Sequence, residues 1–201
     1  MPDCDTSNKI QIYHGSDHII KKPVYGGGKL HNDYGRIFYC APDIEMAKEW
    51  ACPSVMNGYA NCYELDMEGL TVLNLNGGDY HILNWLAILL ENRTFSLKTE
   101  IAEAGYQYIK GTFGIPYKKY DVIRGYRADD SFFSFANAFL NNIITVEQLG
   151  KTMGLGELGE PIAIVSKRAF ERKTDLHGAY LIDVLRDEWR NDDVRLFREL
   201  S

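Results

Sequence analysis

The chain of 201 residues is 45% hydrophobic and 25% charged, with a net charge of −6. Those values describe one globular domain that buries a sizeable core. They exclude bulk electrostatic attraction to nucleic acid, and no apolar run reaches the ~18 residues of a membrane-spanning helix.

The opening residues Met1 to Asp5 are polar and acidic, unlike a secretory leader, and residues 1–8 are expected to fray. Lys9 to Tyr13 alternates polar and apolar side chains and stops at His14-Gly15, which predicts a first strand over 9–14. Residues 15–35 read as irregular around Gly26-Gly27-Gly28, a loop that can act as a lid. A second strand is predicted over 36–41; Asp43 then caps a helix with Met46, Ala47 and Trp50 at helical spacing. Tyr59 to Asp66 alternates, with Tyr63 and Leu65 on one face, and a turn at Glu68-Gly69 leads to a strand over 70–75. Asp79 is the expected cap of an amphipathic helix running to Leu90. Short strands are expected over 120–124 and 162–165, and helices over 97–109 and 131–140, from the Thr145-x-x-Gln148 capping box, and after Ser166. The tail from Leu176 to Leu200 reads as a helix striped by Tyr180, Leu181, Val184, Leu185 and Trp189. Strands early and late with helices between predict an α+β domain.

Four cysteines, Cys4, Cys40, Cys52 and Cys62, lack paired metal spacing and read as free thiols of a reducing cytoplasm, Cys40 and Cys62 within strand cores. His18, His31, His81 and His177 are scattered, so no metal site is expected. Asp129-Asp130 reads as a turn and helix cap rather than a metal or acid–base pair. Ser16 has no Gly-x-Ser-x-Gly elbow, and the glycine run matches no nucleotide-binding loop. Lys21, Lys22 and Lys29 form a local basic rim or a solvated loop.

Two strand ends carry a polar ring each: Tyr13-His14-Gly15-Ser16 and Phe38-Tyr39-Cys40-Ala41, with Trp50 eleven residues after Tyr39. Together they resemble the His-Tyr-Glu branch of the ADP-ribosyltransferase superfamily, which includes diphtheria toxin and the poly-ADP-ribose polymerases. Within it the chain resembles a bacterial domain family found beside antitoxin-like genes. Asp33-Tyr34-Gly35-Arg36, Trp85 to Asn92-Arg93, Tyr120-Asp121-Val122-Ile123, Ala128-Asp129-Asp130 and Ser166-Lys167-Arg168-Ala169-Phe170 carry that likeness over about residues 10–173. It implies a single domain of two packed, mainly antiparallel sheets with peripheral helices, NAD in the cleft between them, and a helical extension over 174–201.

The resemblance also implies roles. His14 and Tyr39 clamp NAD, His14 binding the ribose hydroxyls and Tyr39 and Trp50 flanking the cationic nicotinamide. Gly15 and Ser16 admit the carboxamide to the backbone. Tyr34 and Arg36 complete the cofactor site, Arg36 as a pyrophosphate ligand or else as a sheet-edge salt bridge. The third catalytic residue is expected at Glu160, with Glu147 and Gln148 behind it; Pro161 stands where the family has Gln, and Ile37 where it more often has Gly. The implied activity is NAD-dependent mono-ADP-ribosyl transfer, a pentosyl glycosyltransferase reaction, onto a protein or nucleic acid, by a cytoplasmic toxin restrained by an antitoxin. The rival readings are an inactive NAD- or ADP-ribose-binding module and a domain that docks a partner through the 82–90 helix or the tail.

Overall fold

The computed structural model describes residues 8–28, 32–52, 58–126, 130–154 and 160–182; the readings for Cys4, Lys29, His31, Ala128, Asp129 and the chain beyond Ile182 lie outside them. In chain order the elements are β1 (Lys9–Ser16), β2 (Phe38–Cys40), α1 (Ile44–Ala51), β3 (Gly58–Asp66), β4 (Val72–Asn74), α2 (Ile82–Asn92), α3 (Glu100–Phe113), β5 (Val122–Arg124), α4 (Asp130–Leu140), α5 (Val146–Gly154), β6 (Ile162–Ile164), α6 (Lys167–Glu171) and β7 (Lys173–Ile182). They form an α+β fold with two small sheets, ordered β1-β3-β7 and β2-β6-β5-β4. Every pairing is antiparallel except β4 with β5.

Period-two alternation assigns the faces of both sheets. Ile12, Tyr63 and Leu65 of the first sheet pack with Phe38, Cys40, Val122, Ile162 and Ile164 of the second, so these two faces form the layer between the sheets. The neighbours Ile37, Tyr39, Ile123 and Ala163 point the other way, into a larger core beneath α2, α3, α4 and α5. Tyr13 and Ala60 face the helix on the far side of the first sheet, where Met46, Ala47 and Trp50 pack. The molecule is therefore layered as α1, first sheet, second sheet, and α2 to α5, with α6 packed against the inter-sheet layer through Ala169 and Phe170.

Three local expectations change. The tail is a strand, not a helix, over 173–182: β7 pairs with β3 from Leu65↔Lys173 to Gly58↔Ile182. The physical reason is the second edge of β3, whose backbone groups need partners once β1 has taken the first. α2 starts two residues later than Asp79 predicts, because His81 is its cap: His81 Nδ1 accepts the Leu83 N–H at 3.2 Å and Asn84 Oδ1 accepts the His81 N–H at 2.8 Å. α3 starts at Glu100 behind the Thr99 cap and runs on to Phe113. Partner docking through α2 is also overturned, since Trp85 to Leu90 are all 2% exposed or less. Burial of such side chains stabilises by roughly 1.5–3 kcal/mol each, which makes α2 a core element. Among the described residues no helix is long and apolar enough to cross a membrane.

Candidate functional site

The two sheets touch where β1 and β2 end. Tyr13 exchanges both main-chain bonds with Ala41, at 2.9 and 2.6 Å, as an isolated antiparallel bridge. Strand amides alternate in direction, so Gly15, two residues on, aims its N–H and C=O at the same outer edge of β1. Counting along the bridge register sets Tyr39 opposite Gly15.

His14 lies between them, on the face shared by the sheets. Its ring stacks on Phe38 at 4.7 Å and 21°. Nδ1 is 2.6 Å from the Tyr39 carbonyl oxygen. A carbonyl only accepts, so Nδ1 carries the hydrogen and Nε2 is the bare acceptor of the neutral ring. Burial first, and then the charges of His18 and Lys173, push its pKa below the ordinary value; the bond to Tyr39 works against them. The imidazole is neutral at pH 7.

The expectation that the His14 and Tyr39 rings clamp one ligand between them is overturned. The His14 ring, from β1, lies on the Phe38 side of β2 and the Tyr39 ring on the other, because positions 38 and 39 alternate and Phe38 takes the inter-sheet side. Tyr39 is half-buried against the helical core. Its hydroxyl donates to the Gly35 carbonyl at 3.1 Å and accepts the Tyr34 N–H at 2.8 Å. Burial pushes the phenol's pKa well above its usual range, so it remains a donor. Tyr34 is corrected too: 2% exposed, it donates its hydroxyl to the Tyr126 carbonyl and belongs to the core.

Gly15 and Trp50 do come together. A Cβ on Gly15 would lie 2.9 Å from the Trp50 Cβ, 2.1 Å from the Ala47 carbonyl and 2.7 Å from the Ala51 nitrogen. The missing side chain therefore admits α1, and ligand approach is left to the backbone edge. Ser16 donates to the His18 carbonyl at 2.6 Å and accepts from Asn61 at 2.9 Å, so its hydroxyl holds the turn. Arg36 is exposed and donates Nε to Gly28 at 3.2 Å, tying the glycine-rich loop to the entrance of β2.

A family described as "Protein of unknown function (DUF3990)" matches residues 10–174. The chain belongs to that family. No curated protein and no solved structure matches it.

In this DUF3990 chain Glu160 is half-buried just before β6, where its Oε1 accepts the Asn76 Nδ2–H at 2.8 Å, on the β4 side of the second sheet. Thr145 and Gln148 form their reciprocal cap, at 3.2 and 2.8 Å, which accounts for Gln148 structurally; Glu147 is exposed. Among the described residues no His, Cys, Asp and Glu cluster forms a metal site.

Two polar residues of this region were given no role from the sequence, Asn92 standing only as part of the segment that carries the family likeness. Asn61, 3% exposed, donates to the His14 carbonyl at 3.1 Å and to Ser16, and accepts the Ile20 N–H at 2.7 Å. It organises the chain just past His14. Its signal was available: a lone Asn in the apolar run of β3. Asn92 donates to the Asp33 carbonyl at 3.2 Å and bonds Tyr117, so the end of α2 grips the turn that receives the Tyr39 hydroxyl.

Proposed function

We propose that the chain binds NAD at the His14–Gly15 edge, cleaves the bond between nicotinamide and ribose, and transfers ADP-ribose to a macromolecule. The observation that carries this reading is the join of β1 and β2: a neutral imidazole with a bare Nε2, beside an outward-facing Gly15 amide pair, next to Trp50. A carboxamide needs one donor and one acceptor, which Gly15 offers. The His14 Nε2 accepts from a ribose hydroxyl. The exposed Arg36 offers a bidentate cation for the pyrophosphate, while Trp50 packs on the α1 side of β1, across the strand from the imidazole. Tyr39 acts through its hydroxyl bonds, as the frame of the site. In the transfer, nicotinamide leaves with the bonding pair as a neutral ring, and the acceptor nucleophile bonds the anomeric carbon and sheds its proton. The carboxylate of Glu160 is the group assigned to offset the positive charge that develops on the ribose. Cytoplasmic action and an antitoxin partner belong to the same proposal, through the resemblance alone.

A second reading, a binding module without transfer, is favoured by the Glu160–Asn76 bond and by Pro161, which leaves Glu160 without a polar neighbour at the next position. One experiment separates the two. The protein is incubated with NAD labelled in the adenylate and a cell lysate, then divided between protease and nuclease. Nicotinamide release with a label that one enzyme removes supports transfer and names the acceptor class. His14→Ala should lower release at least ~100-fold. NAD binding without release supports the module; no binding ends both readings.

A further inference from the structure

Lys173, the first residue of β7, reaches inward to a group of aromatic rings. Its Nζ lies 4.5 Å from the ring centre of Tyr63, 4.9 Å from that of Phe170 and 5.5 Å from that of Phe38. The rings meet edge to face, Phe38 with Tyr63 and Phe38 with Phe170, both at 5.6 Å. Phe38 is shared: the ring that touches this ammonium also carries the stacked His14 imidazole. Ring faces attract a cation most strongly where water is scarce, so the ammonium draws the three rings into one arrangement.

We infer that Lys173 is a positioning residue for His14: it holds the Phe38 ring on which the imidazole stacks, and its ammonium opposes a second positive charge there. The inference deepens the NAD reading, on which its functional meaning rests. The charged and titratable groups on the elements around His14 are distributed unevenly. On the following turn Asp17 and His18 pair with each other at 2.5 Å, and on α1, behind β1, Lys48 pairs with Glu45. Glu64 of β3 pairs with Lys9 of β1 at 2.8 Å, and among the described residues the other titratable side chains on β1, β2, β3 and α1 are Tyr13, Tyr39, Cys40, Glu49, Tyr59, Cys62, Tyr63 and Asp66. Lys173 is the lysine that meets the imidazole's own stacking partner. Its charge lowers the affinity of His14 for a proton, as does that of His18, in addition to the larger effect of burial. Both keep Nε2 unprotonated and able to accept.

The test is the NMR titration of the His14 ring in the full chain, without ligand, in wild type, Lys173→Met and Lys173→Arg. Lys173→Met should shift the His14 midpoint to higher pH and weaken ring-current shifts between Phe38 and His14. Lys173→Arg should restore both. Where the wild type turns over NAD, the acid limb of its rate profile should move upward in Lys173→Met, with a larger effect on KM than on kcat. A His14 midpoint and ring-current shifts unchanged in Lys173→Met overturn the inference. If Lys173→Met does not fold, Lys173→Gln provides the same comparison. A shifted midpoint in a protein that does not bind NAD upholds the coupling and removes the NAD reading instead.

Discussion

The hydroxyl of Tyr39 works inside the protein. It donates to Gly35 and accepts from Tyr34, bonds that close the turn ahead of β2. Tyr39→Phe keeps the ring and strands both partners in a half-buried place, which costs about 1–3 kcal/mol. The expected result is a lower unfolding midpoint in denaturant, comparable for Phe and Ala in its hydroxyl component; a Phe variant as stable as wild type would reject this account. His14 illustrates the same scale differently. The motif made its identity legible, but which nitrogen is free follows only from the Tyr39 carbonyl 2.6 Å away. Asn61 shows what residue-level reading missed, because a buried amide has no meaning until the carbonyls and the amide it serves are assembled around it.

Short elements were legible wherever their signals were local. The alternation of 58–66, the Asp43 cap at 3.0 Å from Met46 and the positive φ of Gly69 in the turn before β4 all lie within a few residues of their causes. β7 was not, because its partner β3 lies more than a hundred residues earlier and the same apolar residues also mark a helical stripe. The contact between α1 and β1 yields a prediction at this scale. Gly15→Ala introduces a Cβ at 2.1 Å from the Ala47 carbonyl and 2.7 Å from the Ala51 nitrogen, both backbone atoms that cannot rotate away. α1 must then lift from β1, at a cost of about 1–3 kcal/mol or more. Thermal unfolding should show the loss, and NAD binding should weaken with it as the Gly15 edge shifts; an unperturbed midpoint would show that the helix yields freely.

Across the whole molecule, one carboxylate ties several elements together. Asp121, 7% exposed, accepts the Thr71 N–H and hydroxyl at 2.9 and 3.0 Å and the Ser166 hydroxyl at 2.5 Å, joining the approaches to β4, β5 and α6, with Arg168 at 3.9 Å. Burial alone raises its pKa, but the hydrogen bonds from Ser166 and Thr71 outweigh that and carry it below the ordinary carboxylate value of 3.8. The folded state thus holds its proton less tightly than the unfolded chain. The stability it contributes is complete above pH 3.8 and is lost as pH falls through the lower folded value. Asp121→Asn should therefore destabilise at neutral pH, by about 1–3 kcal/mol since the amide keeps one acceptor oxygen and leaves either Ser166 or Thr71 without its partner, and should flatten the acid end of the stability curve. Urea titrations from pH 2 to 7 measure both; a variant curve parallel to wild type would deny Asp121 this role.

The nearness of His14-Gly15 to the segment around Tyr39 was implied by the family resemblance; from the sequence by itself came the α+β class and the positions of most strands and caps. These are set by period, by turn chemistry and by side-chain identity, all short-range. Alternation also requires Phe38 and Tyr39 to face opposite ways, but it does not say which way is which. Only the stacking of the layers decided that: Phe38 turns to the first sheet and supports the imidazole, Tyr39 turns to the helices and anchors a turn, and Lys173 reaches Phe38 from a strand that exists because β3 had an open edge.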